Sequence, residues 1–326
     1  MTTGRGPNPA LPLALAALLA LGCGEAEDPP ESADVRADTP SAQAQPAAEP
    51  NAVTVADVGF QTPESVLHDE VADVYLVSNI NGAPLDRDDN GFISRVTPDG
   101  EVEELRWIDG AAESIPLSAP KGMGIHGDTL FVTDIDSVRA FHRTSGDYLG
   151  ARGVPGATFL NDIAVGPDGT LYVSDTGMNA EFSSTGTDAV YRFQAGEPVV
   201  VVEGSELAGP NGLAVMDDRV VLVSFGAPQV RTVSAMGGEA SVLAELPGAS
   251  LDGVVVLEDG SMLVSSWETS TVYHVPASAD GGEAMAVVED VPSPADIGWD
   301  GRRNRVLIPI FQENRLVIRA IDTDAM

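Results

Sequence analysis

Cysteine is nearly absent from this chain: Cys23 is the only one in 326 residues, so no intramolecular disulfide can form. Basic residues are scarce too. Seventeen Lys and Arg stand against 50 Asp and Glu, giving a formal charge of −33, a field that repels nucleic-acid phosphates and anionic lipid headgroups alike. Nucleic acid is thus excluded as a partner, and cations or neutral small molecules fit better. Helical periodicity is missing throughout, and His68, His126, His142 and His274 lack the paired spacing of a zinc site. No Gly-x-Ser-x-Gly elbow, phosphate loop or dinucleotide fingerprint stands in a strand-to-helix setting. The length allows one large all-β domain or two ordinary ones.

The first 51 residues read as an address and a tether. Arg5 gives a weakly positive start, Leu11 to Leu21 form an apolar stretch too short to span a bilayer, and Ala20-Leu21-Gly22 would suit a signal peptidase. Cys23 follows directly, as the lipidated first residue of a bacterial lipoprotein does, although Ala20 replaces the more usual Leu; plain secretion is the alternative. Residues 1–22 are expected to be a signal peptide, and residues 23–51, rich in Ala, Pro, Glu, Asp, Ser and Gln, a disordered tether. The expectation is an exported monomer facing the periplasm or cell exterior, touching membrane only through a lipid on Cys23.

From residue 52 to the end a plan repeats: "PESVLHD", "PKGMGIHG", "LNDIAVGPDG", "PNGLAVMDD", "LDGVVVLEDG" and "PADIGWDG". With Glu64, Lys121, Asn161, Asn211, Asp252 and Ala295 as matching positions, the intervals are 57, 40, 50, 41 and 43 residues. Four-stranded propeller blades need about 40 to 50 residues. Strands in the fourth copy are predicted at 213–215, 220–224, 229–234 and 241–246, and apolar runs such as "RVVLVS" suit strands covered on both faces. The last copy supplies only three strands, while "AVTVADV" at 52–58 precedes the first. Pairing that strand into the last blade would close a six-bladed, all-β propeller and remove two open edges.

In such a ring the opening positions of the innermost strands converge on the axis. Four of the six carry oxygen, two as carboxylates (Glu64, Asp252) and two as carboxamides (Asn161, Asn211). Asn and Asp are poor strand residues, and this donor set suits a hard divalent cation, calcium before magnesium. The plainer alternative is that they hydrogen-bond free backbone groups at strand ends.

Over this stretch the chain resembles the gluconolactonase, luciferin-regenerating enzyme and senescence marker protein superfamily of six-bladed calcium propellers, most closely in "LNDIAVGPDGTLYVSD", "GPNGLAV" and "LDGVVVLEDG". The resemblance implies that Glu64, Asn161, Asn211 and Asp252 surround one divalent metal and that Asp252 is the base activating water for lactone or ester hydrolysis. Lys121 would face the same channel, orienting an anionic group or stabilising an oxyanion, unless it is a solvated rim residue. Sugar-lactone members carry Arg two residues before the Asn of the Asn-Asp pair; here Phe159 stands there, which points to a more apolar substrate or to none. The first copy also lacks the Glu-Gly-Pro of many members. A non-catalytic, NHL-like propeller that binds a protein or glycan, and a propeller with a purely structural ion, are the alternatives.

A second cation candidate is "DRDDNGFISRVT", residues 86–97, where Asp86, Asp88, Asn90 and Gly91 fit a calcium loop but Thr97 replaces the final Glu. A solvated turn is the expected reading. Trp107, Trp267 and Trp299 are expected to pack between blades.

Overall fold

The structure, a computed structural model, describes residues 52–277 and 282–323. The expected signal peptide, Cys23 and the expected tether lie outside the described residues. Twenty-four strands form six antiparallel four-stranded sheets, with no α-helix among the described residues.

Blade one holds β2 (Pro63–Asp69), β3 (Val74–Asn79), β4 (Phe92–Val96) and β5 (Val102–Asp109). Blade two holds β6 (Pro120–His126), β7 (Thr129–Asp134), β8 (Ser137–His142) and β9 (Tyr148–Gly153). Blade three follows with β10 (Leu160–Val165), β11 (Leu171–Asp175), β12 (Ala189–Gln194) and β13 (Glu197–Glu203). Blade four has β14 (Pro210–Met216), β15 (Arg219–Ser224), β16 (Ala227–Ser234) and β17 (Ser241–Glu245), within three residues of each expected strand boundary. Blade five has β18 (Leu251–Val256), β19 (Met262–Ser266), β20 (Thr271–Val275) and β21 (Met285–Val288). Blade six joins β22 (Gly298–Asp300), β23 (Arg305–Ile310) and β24 (Arg315–Ala320) to β1 (Ala52–Val55), so the N-terminal strand closes the ring. β1 pairs with β24 from Ala52↔Arg319 to Val55↔Leu316.

The apolar runs follow from packing on both faces. In β15, Val220 and Leu222 enter the core between blades three and four, while Val221 and Val223 enter the core between blades four and five. Alternate side chains of one strand thus serve two cores. At the closure, Val55, Phe60 and Val66 pack with Leu316 and Ile318, which seals the last interface to the first blade.

Short polar bridges fix the inner strands to one another. The Thr133 hydroxyl donates across an interface to the Asn161 carbonyl, Ser174 to the Asn211 carbonyl at 2.6 Å, and Ser265 to the Ala295 carbonyl at 2.9 Å. One residue further on, Asp134 accepts the Ala119 amide at 2.9 Å and Asp175 the Phe159 amide at 2.9 Å. The ends of the second strands therefore set the height of each opening position at the axis.

Candidate metal centre

Glu64, Lys121, Asn161, Asn211 and Asp252 line one cavity of about 300 Å3 at the channel mouth, together with Phe159. The structure brings together all five non-alanine ring positions expected from the repeat. All five are buried. Ala295 adds no ligand, and its strand opens late: Asp296 instead bridges in parallel to Ser65 and donates its amide to the Glu64 carbonyl at 2.9 Å.

Unpaired atoms in the ring bear on whether it holds a cation. Glu64 Oε2, Asn161 Oδ1, Asn211 Oδ1 and Asp252 Oδ1 are buried without a hydrogen-bond partner among the described residues. One orphaned oxygen on each of four matched side chains fits a hard cation, because a buried acceptor left unpaired is costly. The plainer reading, capping of strand-end amides, would have given these oxygens partners. The orientation of the Asn161 amide is fixed independently. Thr176 donates its hydroxyl to the Pro210 carbonyl at 2.7 Å, so it must accept from Asn161 Nδ2 at 3.1 Å, which turns Oδ1 inward. Trp267 Nε1 donates to Asp252 Oδ2 at 2.7 Å and leaves Oδ1 without a partner. Among the described residues no three His, Cys, Asp or Glu side chains form a metal cluster, so the amides are indispensable to any site here.

The electrostatics point the same way. Burial, and then the Asp252 charge, push the Glu64 carboxyl well above the usual range. Burial pushes Asp252 up to about 7, tempered by the Trp267 hydrogen bond. Lys121 is the one cation at the ring: burial lowers its pKa while Glu64 and Asp134 raise it. Its ammonium donates to the Pro84 and Ala119 carbonyls, each at 3.0 Å, and lies 4.8 Å from the Phe159 ring centre. Lys121 is therefore a buried counter-charge and not a solvated rim residue.

The residue after each opening position forms a lower tier, which the repeat reading left unassigned. Asp162 accepts the Ile163 and Leu213 amides, both at 2.6 Å, and so bridges blades three and four. Asp296 accepts the Ser65 hydroxyl at 2.5 Å. Burial raises Asp162 to about 6; burial, then Asp162 and Glu64, raise Asp296. The other tier positions include Gly122, Gly212 and Gly253, and a Cβ on Gly212 would lie 2.2 Å from the Asp252 carbonyl oxygen. The Asn-Gly and Asp-Gly pairs thus record close approach of inner strands, not turns. A second cavity of about 630 Å3 reaches Asp162 and Asp296 from the opposite face.

A collar stands over the ring. The residues that follow the second strand of each blade are Ile80, Ile135, Thr176, Phe225, Trp267 and Phe311. All but Ile135 line the mouth cavity, and Ile135 packs with Ile80 beneath it. The expectation that Trp267 only packs between blades is corrected: its indole lines the cavity, 5.6 Å from Phe225 and 5.2 Å from Phe311 between ring centres. Trp107 and Trp299 do pack at blade interfaces. The recurring "VSN-I", "VTD-I", "VSD-T" and "VSS-W" were the signal that could have found the collar.

The loop at residues 86–97 is a turn leading into strand β4, with Asn90 donating to Asp88 at 2.6 Å and Arg87 paired with Asp136 at 2.8 Å. Arg87 thus pairs outside the loop, and Asn90 Oδ1 is buried without a hydrogen-bond partner among the described residues. His68 and His274 are buried in blades away from the ring.

The family described as the SMP-30/Gluconolactonase/LRE-like region matches residues 89–301. Among solved structures, a gluconolactonase candidate from structural genomics is similar over 83% of this chain and 94% of its own, at 17% identity and a TM-score of 0.61. Virginiamycin B lyase from Staphylococcus aureus is similar over 83% of this chain and 99% of its own, at 13% identity and a TM-score of 0.59. A chain of a nidogen/laminin complex is similar over 68% and 79%, at 18% identity and a TM-score of 0.53. No curated protein matches. At these identities the structures establish the propeller fold alone.

Proposed function

We propose that this chain, which belongs to the SMP-30/gluconolactonase/LRE-like family, is a calcium-dependent lactone or ester hydrolase whose reaction centre is the ring of Glu64, Asn161, Asn211 and Asp252. The observation that carries the reading is the set of four buried, unpaired oxygens, one on each of these side chains. Two charged and two neutral hard donors suit calcium better than softer metals. The cation would supply Lewis-acid polarisation of a carbonyl and acidify water beside it.

The side chains divide the remaining work. Glu64 and Asp252 supply the negative charge, and Asn161 and Asn211 supply neutral oxygens, that of Asn161 held in place by its own N–H bond to Thr176. Asp252 accepts a proton from the attacking water, a role worth about 10² to 10⁴ in rate. The water oxygen bonds to the carbonyl carbon, the bond from that carbon to the ring or alkoxy oxygen breaks, and the proton held by Asp252 passes to the departing oxygen. The product is a hydroxy acid, or an acid and an alcohol. Lys121 spends two of its three donors on backbone carbonyls, leaving one for the developing oxyanion. Export and a lipid on Cys23 would hold this channel outside the cytoplasm, where calcium sites of modest affinity fill.

The test is turnover of a lactone and ester panel by the purified full chain. Activity should vanish with a chelator, return with calcium, and fall at least 100-fold in Asp252→Ala. Turnover indifferent to chelation would overturn the reading. Absence of turnover with capture of a protein or glycan would favour the NHL-like alternative.

A further inference from the structure

We infer that the mouth above the ring selects a small lactone or ester carrying a flat apolar substituent, a phenyl group above all, and rejects polyhydroxylated sugar lactones. This rests on the hydrolase reading of the ring below. The collar is the first ground. Its members come from one structural position in every blade, and five of the six are apolar: Ile80, Ile135, Phe225, Trp267 and Phe311. Thr176 is the sixth, and its hydroxyl is already spent, donating to the Pro210 carbonyl and accepting from Asn161. It has no free donor for a sugar hydroxyl.

Most neighbouring side chains extend the same surface, Gln312 being the polar exception in the lining. Phe159, Met178 and the largely exposed Phe182 line the cavity beside the collar. Lys121 is held by two backbone carbonyls and lies against Phe159, so it cannot serve a row of hydroxyls. Each substrate hydroxyl buried here without a partner costs on the order of 10-fold in binding, whereas a well-placed aromatic contact gains up to about 10-fold. The cavity of about 300 Å3 is small for a ligand pocket, which limits the substituent to about one ring.

Trp267 sets the register between this surface and the chemistry. Its indole belongs to the aromatic cluster with Phe225 and Phe311, and its N–H holds Asp252. A phenyl ring packed on that cluster would bring the carbonyl of the lactone that bears it over the four oxygens.

The experiment compares γ-phenyl-γ-butyrolactone, γ-valerolactone and glucono-δ-lactone in steady state on the calcium-loaded full chain. In parallel, binding of 5-phenyl-2-pyrrolidinone, a lactam of the same shape, is followed by tryptophan fluorescence. The phenyl lactone should exceed the sugar lactone at least 100-fold in kcat/KM. Its advantage over the methyl lactone should fall about 10-fold in Phe225→Ala and in Phe311→Ala, and less in Phe225→Leu, which keeps the volume. The lactam should bind the wild type and weaken in both alanine variants. Sugar-lactone turnover equal to or better than the phenyl lactone overturns the inference and leaves the hydrolase reading standing. Lactam binding that weakens in the variants, with no lactone turned over, upholds the apolar site and overturns the hydrolase reading. Lactam binding indifferent to both residues overturns the inference outright.

Discussion

The indole N–H of Trp267 donates to Asp252 Oδ2 at 2.7 Å, while the other oxygen of the same carboxylate, Oδ1, is one of the four left unpaired at the channel axis. One carboxylate thus has a tied end and a free end. The tie orients the free oxygen towards the ring, as outer partners of metal ligands commonly do.

Trp267→Phe keeps a ring in the collar and removes this N–H. Calcium affinity measured by calorimetry should weaken by about 10-fold or more, with the fold intact by circular dichroism. An unchanged affinity would show that the tie does not position Asp252.

Stability of the metal-free protein should depend on pH through the buried carboxyls. Asp252 is raised to about 7 and Asp162 to about 6, so folding favours their protonated forms. That contribution is full below about pH 4, their ordinary range, and is lost as pH rises through about 7. Groups held low by arginine, such as Asp69 beside Arg143, act on the acid side of this window. Urea midpoints taken from pH 4.5 to 7.5 should fall less steeply in Asp252→Asn than in wild type, and calcium should restore most at the high end, since binding displaces the protons. Equal slopes in the two proteins would contradict the assignment.

The ring was legible in sequence because it obeys a repeat: Glu64, Asn161, Asn211 and Asp252 occupy one phase of a blade-length period, and strand chemistry gives no reason for such residues there. The closure was legible for a similar reason, as the last copy was one strand short. Trp267 was not, because its role depends on where a loop after β19 folds relative to β18, and tryptophan suits a blade interface equally well. The burial of Lys121 was hidden too. It arises from the Pro84 carbonyl in the loop after β3, a segment with no periodic signal. Asp296 escaped notice because Ala295 took the matched place and its strand begins three residues later.

Removal of β1 leaves β24 as an open edge and uncovers a core that includes Leu316 and Ile318. A chain starting at Gly59 should melt well below wild type and self-associate through that edge. Val55→Ala, which keeps the strand, should cost about 2 kcal/mol. A truncated chain that stays monomeric with an unchanged melting temperature would show that the ring does not depend on this strand.

The central claim is that four oxygens at the axis hold calcium, and its most direct test is a calorimetric calcium titration of the chelator-stripped full chain against the Glu64→Ala, Asp252→Ala double variant. Both proteins keep the loop at residues 86–97, so their difference isolates the channel. Wild type should show one calcium equivalent that the variant lacks. Two identical titrations would contradict the account at its foundation.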